Sequence, residues 1–146
     1  MQKYRKAPRA GFMPYYINDG NIYIMFMKPS NPKYGGELFQ IAKGKVEYGE
    51  TPIVAAKREA YEEIGLRLDN IDTEHHLGTF LGYTDIYYGR IKDKERFDMY
   101  GYETGETKWI NVNDFPKIGR SIHIPIIRLV TKEIIKIEPS LQTHLS

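Results

Sequence analysis

The chain contains no cysteine, so disulfides and thiolate metal sites are excluded outright. Long hydrophobic runs are missing too. No segment reaches the roughly 18 to 20 consecutive apolar residues that span a bilayer, and the basic start MQKYRKAPRAGF lacks the apolar stretch of a signal peptide. A cytoplasmic protein without a membrane partner is therefore expected. Net charge is scarce as well: +2 is too little to attract nucleic acid by bulk electrostatics. The sequence has no internal repeat, low-complexity tract or linker.

What is present fits a soluble enzyme or binding domain. A length of 146 residues supports one domain with a real core and is short for two. One domain is expected over 1–146, with 1–8 and 139–146 as loosely held tails. Twelve tyrosines favour strands and surfaces that stack on flat ligands.

Strands are expected at Arg9 to Ile17 and Asn21 to Lys28, joined by the hairpin signal Asn18-Asp19-Gly20. Pro14 would confine the first of them to an edge or a bulge. Pro29 to Gly36 is turn chemistry, and Glu37 to Ala42 reads as a short strand. Thr51 and Pro52 are a favoured helix start, and Gly65 is a usual helix end. Downstream, Leu77 to Arg90 and Phe97 to Glu103 read as two antiparallel strands around the charged turn 92–96, followed by a strand at Thr107 to Val112. Apolar residues at 126, 127, 130, 134 and 137 give Ile124 to Glu138 a helical period. The order predicts a mixed sheet between helices, an α/β/α arrangement.

Within the first helix, Glu59, Glu62 and Glu63 stand at i, i+3 and i+4, on one face. Crowded carboxylates are costly unless a cation lies among them or one keeps its proton. Oxygen ligands favour Mg²⁺ or Mn²⁺.

These glutamates lie in a longer pattern. Gly44, Glu50, Arg58-Glu59, Glu62-Glu63 and Gly65, spaced by aliphatic residues up to Leu66, resemble a complete Nudix box. The resemblance implies the Nudix fold and a hydrolase for nucleoside diphosphates linked to another moiety, with Mg²⁺ or Mn²⁺ as cofactor. It implies metal ligation by Glu59, Glu62, Glu63 and a carbonyl beside Gly44. Arg58 would orient the carboxylates, while Glu50 and Gly65 would support the loop and helix. Glu103, ahead of Trp109, would complete the metal site, with Glu106 as the second choice. Which glutamate serves as base stays open. A homodimer is also in keeping with such relatives.

Tyr83, 17 residues beyond Leu66, matches the tyrosine of proteins resembling diadenosine polyphosphate hydrolases, and AKGKVE resembles their PKGHVE-like segment, with Ala42 in place of proline. The expected substrate is thus a dinucleoside polyphosphate such as diadenosine tetraphosphate. Tyr83 could stack on its base, and Lys28, Lys33, Lys43 and Lys45 could hold its phosphates. The alternatives are an RNA 5′ end, approached along the basic arm Lys3, Arg5, Lys6 and Arg9, a (deoxy)nucleoside triphosphate, or nucleotide binding without catalysis.

Overall fold

The computed structural model describes residues 8–34 and 36–142. The arm residues Lys3, Arg5 and Lys6 and the end of the C-terminal tail lie outside them. One mixed sheet carries strands β1 (Arg9–Asn18), β2 (Asn21–Pro29), β3 (Lys43–Lys45), β4 (His75–Phe80), β5 (Thr84–Arg90) and β6 (Thr104–Asn111). Their order is β4-β5-β1-β2-β6, with β3 also on β1. The β1–β5 pair is parallel and the others are antiparallel. Helix α1 (Pro52–Ile64) packs on one face, with Ala10, Phe12, Met25 and Met27 beneath it. Helix α3 (Ile124–Ile137) and the short α2 (Phe115–Ile118) cover the other face, over Met13, Tyr15, Ile24 and Phe26. Odd and even residues of β1 and β2 thus divide between the faces, as pleating demands.

Pro14 does not make β1 an edge; the strand is central. Arg9 N donates to Tyr83 O beside β5, whereas Phe12 N donates to Ala42 O on the opposite side. Backbone groups alternate in direction along a strand, so the nitrogen of Pro14 points the way Phe12 N does. There β3 pairing ends at Gly11 and β2 pairing begins at Tyr15. The missing N–H therefore falls in a gap and costs no ladder bond.

Three further expectations are corrected. Residues 77–90 are not one strand but the hairpin β4–β5, turning at Leu81, Gly82 and Tyr83, all with positive φ. Two of the three are not glycine, so the turn carries little of the usual signature. Residues 97–103 form no strand. They cross the end of α1 instead, with Gly101 N donating to Glu62 O, Asp98 N to Gly65 O and the Thr104 hydroxyl to Glu63 O. A helix end leaves carbonyls without partners, and this segment supplies the donors. Residues 37–42 reduce to single bridges at Phe39 and Gln40. Among the expected tails, 139–142 form a helical turn, α4 (Pro139–Gln142), that buries Leu141.

Candidate active site

Helix α1 begins where Thr51 Oγ1 accepts from Val54 N and Pro52 takes the first turn. It ends at Gly65, left-handed at φ 74°. A Cβ there would lie 1.8 Å from Asp98 O, so glycine is required by both conformation and space. Ala55, Ala56, Ala60 and Ile64 face the sheet, which turns Arg58, Glu59, Glu62 and Glu63 toward the Lys43–Glu50 loop.

Arg58 is the hub of this surface. Its Nε and Nη2 donate to the two oxygens of Glu50 at 2.7 and 3.0 Å. Nη1 donates to Glu59 at 2.9 Å and to Glu62 at 3.1 Å, and Nη2 also reaches Lys45 O at 2.9 Å. One planar guanidinium with five donors thereby ties the loop to two carboxylates of the helix. The bond from Arg58 and the backbone N–H of Glu47 hold the Glu50 carboxyl below its usual range.

Gly44 makes room for Glu59. A Cβ on Gly44 would stand 2.2 Å from the Glu59 carboxyl carbon. Glu63 lies deeper, where its Oε1 accepts from Lys43 N at 3.3 Å. Burial, followed by a shared hydrogen bond with Glu59 and the repulsion of that charge, pushes Glu63 up to about 8. Two carboxylates that must share a proton suit a cation between them. Glu62 stays at the exposed edge with Arg58. Accordingly, among the described residues no three acidic or histidine side chains already converge as a metal cage.

The site opens into a cavity of about 850 Å³. Glu59, Glu63 and Glu103 stand on its wall together with Lys43, Lys45 and Gly44. Glu62 and Glu103 also line a shallower depression beside it, of about 440 Å³. The 97–103 segment is what brings Glu103 here, since its carbonyl accepts from Ser30 N. Glu106 faces Lys28 instead, at 3.6 Å.

Three expected substrate contacts lie elsewhere. Of the described residues, Lys28, Lys33 and Tyr83 stand outside the cavity wall. Lys28 lies over the Phe39 ring at 4.8 Å and pairs with Glu106. Lys33 is exposed on a single 3₁₀ turn. Tyr83 closes the β4–β5 turn, 52% exposed, with its carbonyl tied to Arg9 N.

In their place the fold brings in Arg9, Gln40, Arg120, Tyr34 and Tyr102. The ladder explains Arg9: it sits opposite Lys45, and opposed residues share a face. Arg120 is carried in by its N–H, which donates to Phe39 O. Arg9 had a local signal as the last cation of the basic arm and the first residue of an expected strand; Arg120 depends on long-range packing.

This geometry has known counterparts. The NUDIX domain model matches residues 8–130, and the chain belongs to the Nudix family of hydrolases, whose members use divalent metal ions. Solved structures share the fold at low identity. The Ap4A hydrolase of C. elegans in a binary complex is 18% identical over 90% of this chain and 100% of that one, with a TM-score of 0.71. The NUDIX domain of Shewanella oneidensis NrtR, complexed with ADP ribose, is 12% identical over 91% and 90%, with a TM-score of 0.74. The Nudix hydrolase RenU of M. Smegmatis is 13% identical over 92% and 90%, with a TM-score of 0.71.

Proposed function

We propose that this chain is a Mg²⁺- or Mn²⁺-dependent pyrophosphohydrolase that cleaves a phosphoanhydride bond in a nucleotide, with dinucleoside polyphosphates such as diadenosine tetraphosphate as its substrates. The observation that carries this reading is the charge layout of one cavity. Glu59, Glu63 and Glu103 line its wall together with Arg9, Lys43, Lys45 and Arg120. A polyphosphate needs both, cation-binding carboxylates at the bond to be broken and fixed positive charge along the rest.

Glu59, Glu62 and Glu63, joined by Glu103 and the backbone beside Gly44, would hold the metal. Bound there, a divalent ion supplies charge neutralisation and an acidified water. Arg58 orients Glu59 and Glu62, while Glu50 fixes Arg58. Glu63, which holds a proton against Glu59 in the metal-free site, would lose it with a cation bound there, and a carboxylate oxygen not engaged with the ion could then accept a proton from the attacking water. Tyr34 and Tyr102, 77% and 90% exposed at the cavity rim, offer stacking surfaces for a base. The lack of cysteine suits a reducing, cytoplasmic setting.

A panel of diadenosine tetraphosphate, ADP-ribose, dATP and triphosphorylated RNA, assayed with Mg²⁺ and with Mn²⁺, tests the reading. Diadenosine tetraphosphate is expected to show the highest kcat/KM. Faster turnover of dATP or ADP-ribose would overturn the substrate. Preferential release of pyrophosphate from RNA would move it to an RNA end, where Arg9 already lines the cavity.

A further inference from the structure

Residues 40 to 45 carry the chain from one strand of the sheet to another. At Gln40 the backbone is bridged to Met27 of β2, each N–H donating to the other's carbonyl at 2.8 and 3.0 Å. By Lys43 it has joined β1, opposite Gly11, and Ala42 O already accepts from Phe12 N. A crossing of this kind puts backbone groups out of step with the strands on either side, and they must find other partners. Two of its N–H groups donate to side chains, one from each covering layer. Glu63 Oε1, on α1, accepts from Lys43 N, and His123 Nδ1, at the start of α3, accepts from Ile41 N, both at 3.3 Å. The backbone that leads into Gly44 is thereby held between a carboxyl and an imidazole.

His123 is fully buried, and its Nε2 has no hydrogen-bond partner among the described residues. With Nδ1 accepting, the neutral ring carries its hydrogen on Nε2. A buried donor left unpaired costs about 1 to 3 kcal/mol. The ring therefore makes one bond and leaves one donor over, an arrangement that packing alone does not call for. What it fixes is the place of Ile41 N, three residues before Gly44. Ile41 packs into the α3 layer and Ala42 into the α1 layer, so the segment cannot slide freely between them. Gly44 in turn stands against the Glu59 carboxyl with no space for a methyl group. A shift at Ile41 would move the carbonyl beside Gly44 relative to Glu59 and Glu63.

We propose that His123 is a positioning residue for the metal site: through Ile41 N it sets the backbone that carries Gly44, so that the carbonyl there and the Glu59 and Glu63 carboxylates are already placed for a cation. His123 stands outside the cavity wall and acts only through that backbone. The inference rests on the metal-dependent reading above and adds to it a residue from the opposite layer of the sheet.

Mn²⁺ binding, followed by electron paramagnetic resonance without substrate, tests this in wild type, His123→Leu, His123→Asn and Ile134→Ala. Leucine has no acceptor, whereas asparagine can place its side-chain oxygen where Nδ1 sits. Ile134→Ala destabilises the same helix and removes no hydrogen bond of the 40–45 segment. His123→Leu is expected to bind Mn²⁺ about tenfold or more weakly, the scale seen when a group that orients a metal ligand is lost. His123→Asn should recover most of that affinity while its melting temperature stays below wild type, because the void left by the ring remains. Ile134→Ala should bind as wild type does. A purely structural role would make affinity follow melting temperature through all three variants, and that result overturns the proposal. Wild-type affinity in His123→Leu, or no recovery in His123→Asn, overturns it as well. Failure of wild type to bind Mn²⁺ would remove the metal-dependent reading and the inference with it. The expected order of affinities upholds His123 whichever nucleotide the enzyme cleaves.

Discussion

The two faces of the sheet are packed by different rules. Under α1 five alanines, Ala10, Ala42, Ala55, Ala56 and Ala60, are fully buried among Phe12, Met25 and Met27. Under α3 the buried side chains are large: Tyr15, Phe26, Phe115, Ile126 and Ile134 fill that side. Alanine lets a helix lie close to a strand with little side-chain freedom lost. That closeness sets Glu59 against Gly44 with no room for even a methyl group between them. The α3 face has no such requirement and is built from volume, which stabilises by burial. One face is organised around the position of charges and the other around cohesion, so changes on each should separate activity from stability.

The sharpest separation pairs Glu63→Gln with Ile134→Ala. Glu63→Gln removes a desolvated carboxyl that must share its proton with Glu59. Its kcat is expected to fall on the order of a thousandfold, about 4 kcal/mol of barrier, while the metal-free melting temperature holds or rises, as is common where function strains a site. Ile134 is fully buried under α3. Ile134→Ala should cost about 2 to 5 kcal/mol in urea unfolding and leave kcat within about twofold at a temperature where the variant is folded. Loss of activity in both variants without loss of stability in either would erase the distinction between the faces.

Gly44→Ala tests closeness directly. The new methyl meets the Glu59 carboxyl, which must swing off Arg58 or push α1 outward. A displacement of about 1 Å at a reacting centre can cost roughly a hundredfold in rate, and that is the expected drop in kcat/KM. Stability should fall by only about 1 kcal/mol, because a carboxylate end can yield where backbone cannot. Steady-state kinetics beside a thermal melt would show it, and near-normal kcat/KM would mean that the gap at Gly44 is not needed.

The same contrast explains what could be read before the fold was known. Helix α1 was legible because local chemistry decides it: Thr51 caps, Pro52 starts, Gly65 stops, and the alanines mark the inner face. Helix α3 was legible from period alone. What failed was governed by partners distant in sequence. The 97–103 segment has strand-like composition but is drawn over the carbonyls at the end of α1. Pro14 was misjudged because the gap that tolerates it forms between two other strands. That Lys28 faces Glu106 could not be read locally, because β6 supplies the partner. Arg120, 61 residues beyond Glu59 in the sequence, has no local mark of the cavity it enters.

The gentlest probe is pH, against which the two faces act in opposite directions. His123 is fully buried at the start of α3, and its Nδ1 accepts from Ile41 N at 3.3 Å. Burial, reinforced by the charges of Lys43 and Arg120, pushes the ring from 6.5 down to about 3. Between those values the unfolded chain takes up a proton that the folded chain refuses. The stability associated with His123 is therefore complete above pH 6.5 and falls as pH drops toward 3, by at most about 1.4 kcal/mol per pH unit. Glu63 is raised from 4.5 to about 8, so the folded chain keeps a proton that the unfolded one releases, and stability falls as pH rises through that window. Metal-free protein should thus be most stable where the windows overlap, between the unfolded values of 4.5 and 6.5. His123→Leu leaves Ile41 N without its acceptor, at a cost of about 1 to 3 kcal/mol at neutral pH, and should flatten the acid limb alone. Glu63→Gln should flatten the alkaline limb alone. Urea midpoints across the acid and neutral range would check both, and an acid limb that survives in His123→Leu would show that the acid sensitivity arises from another group.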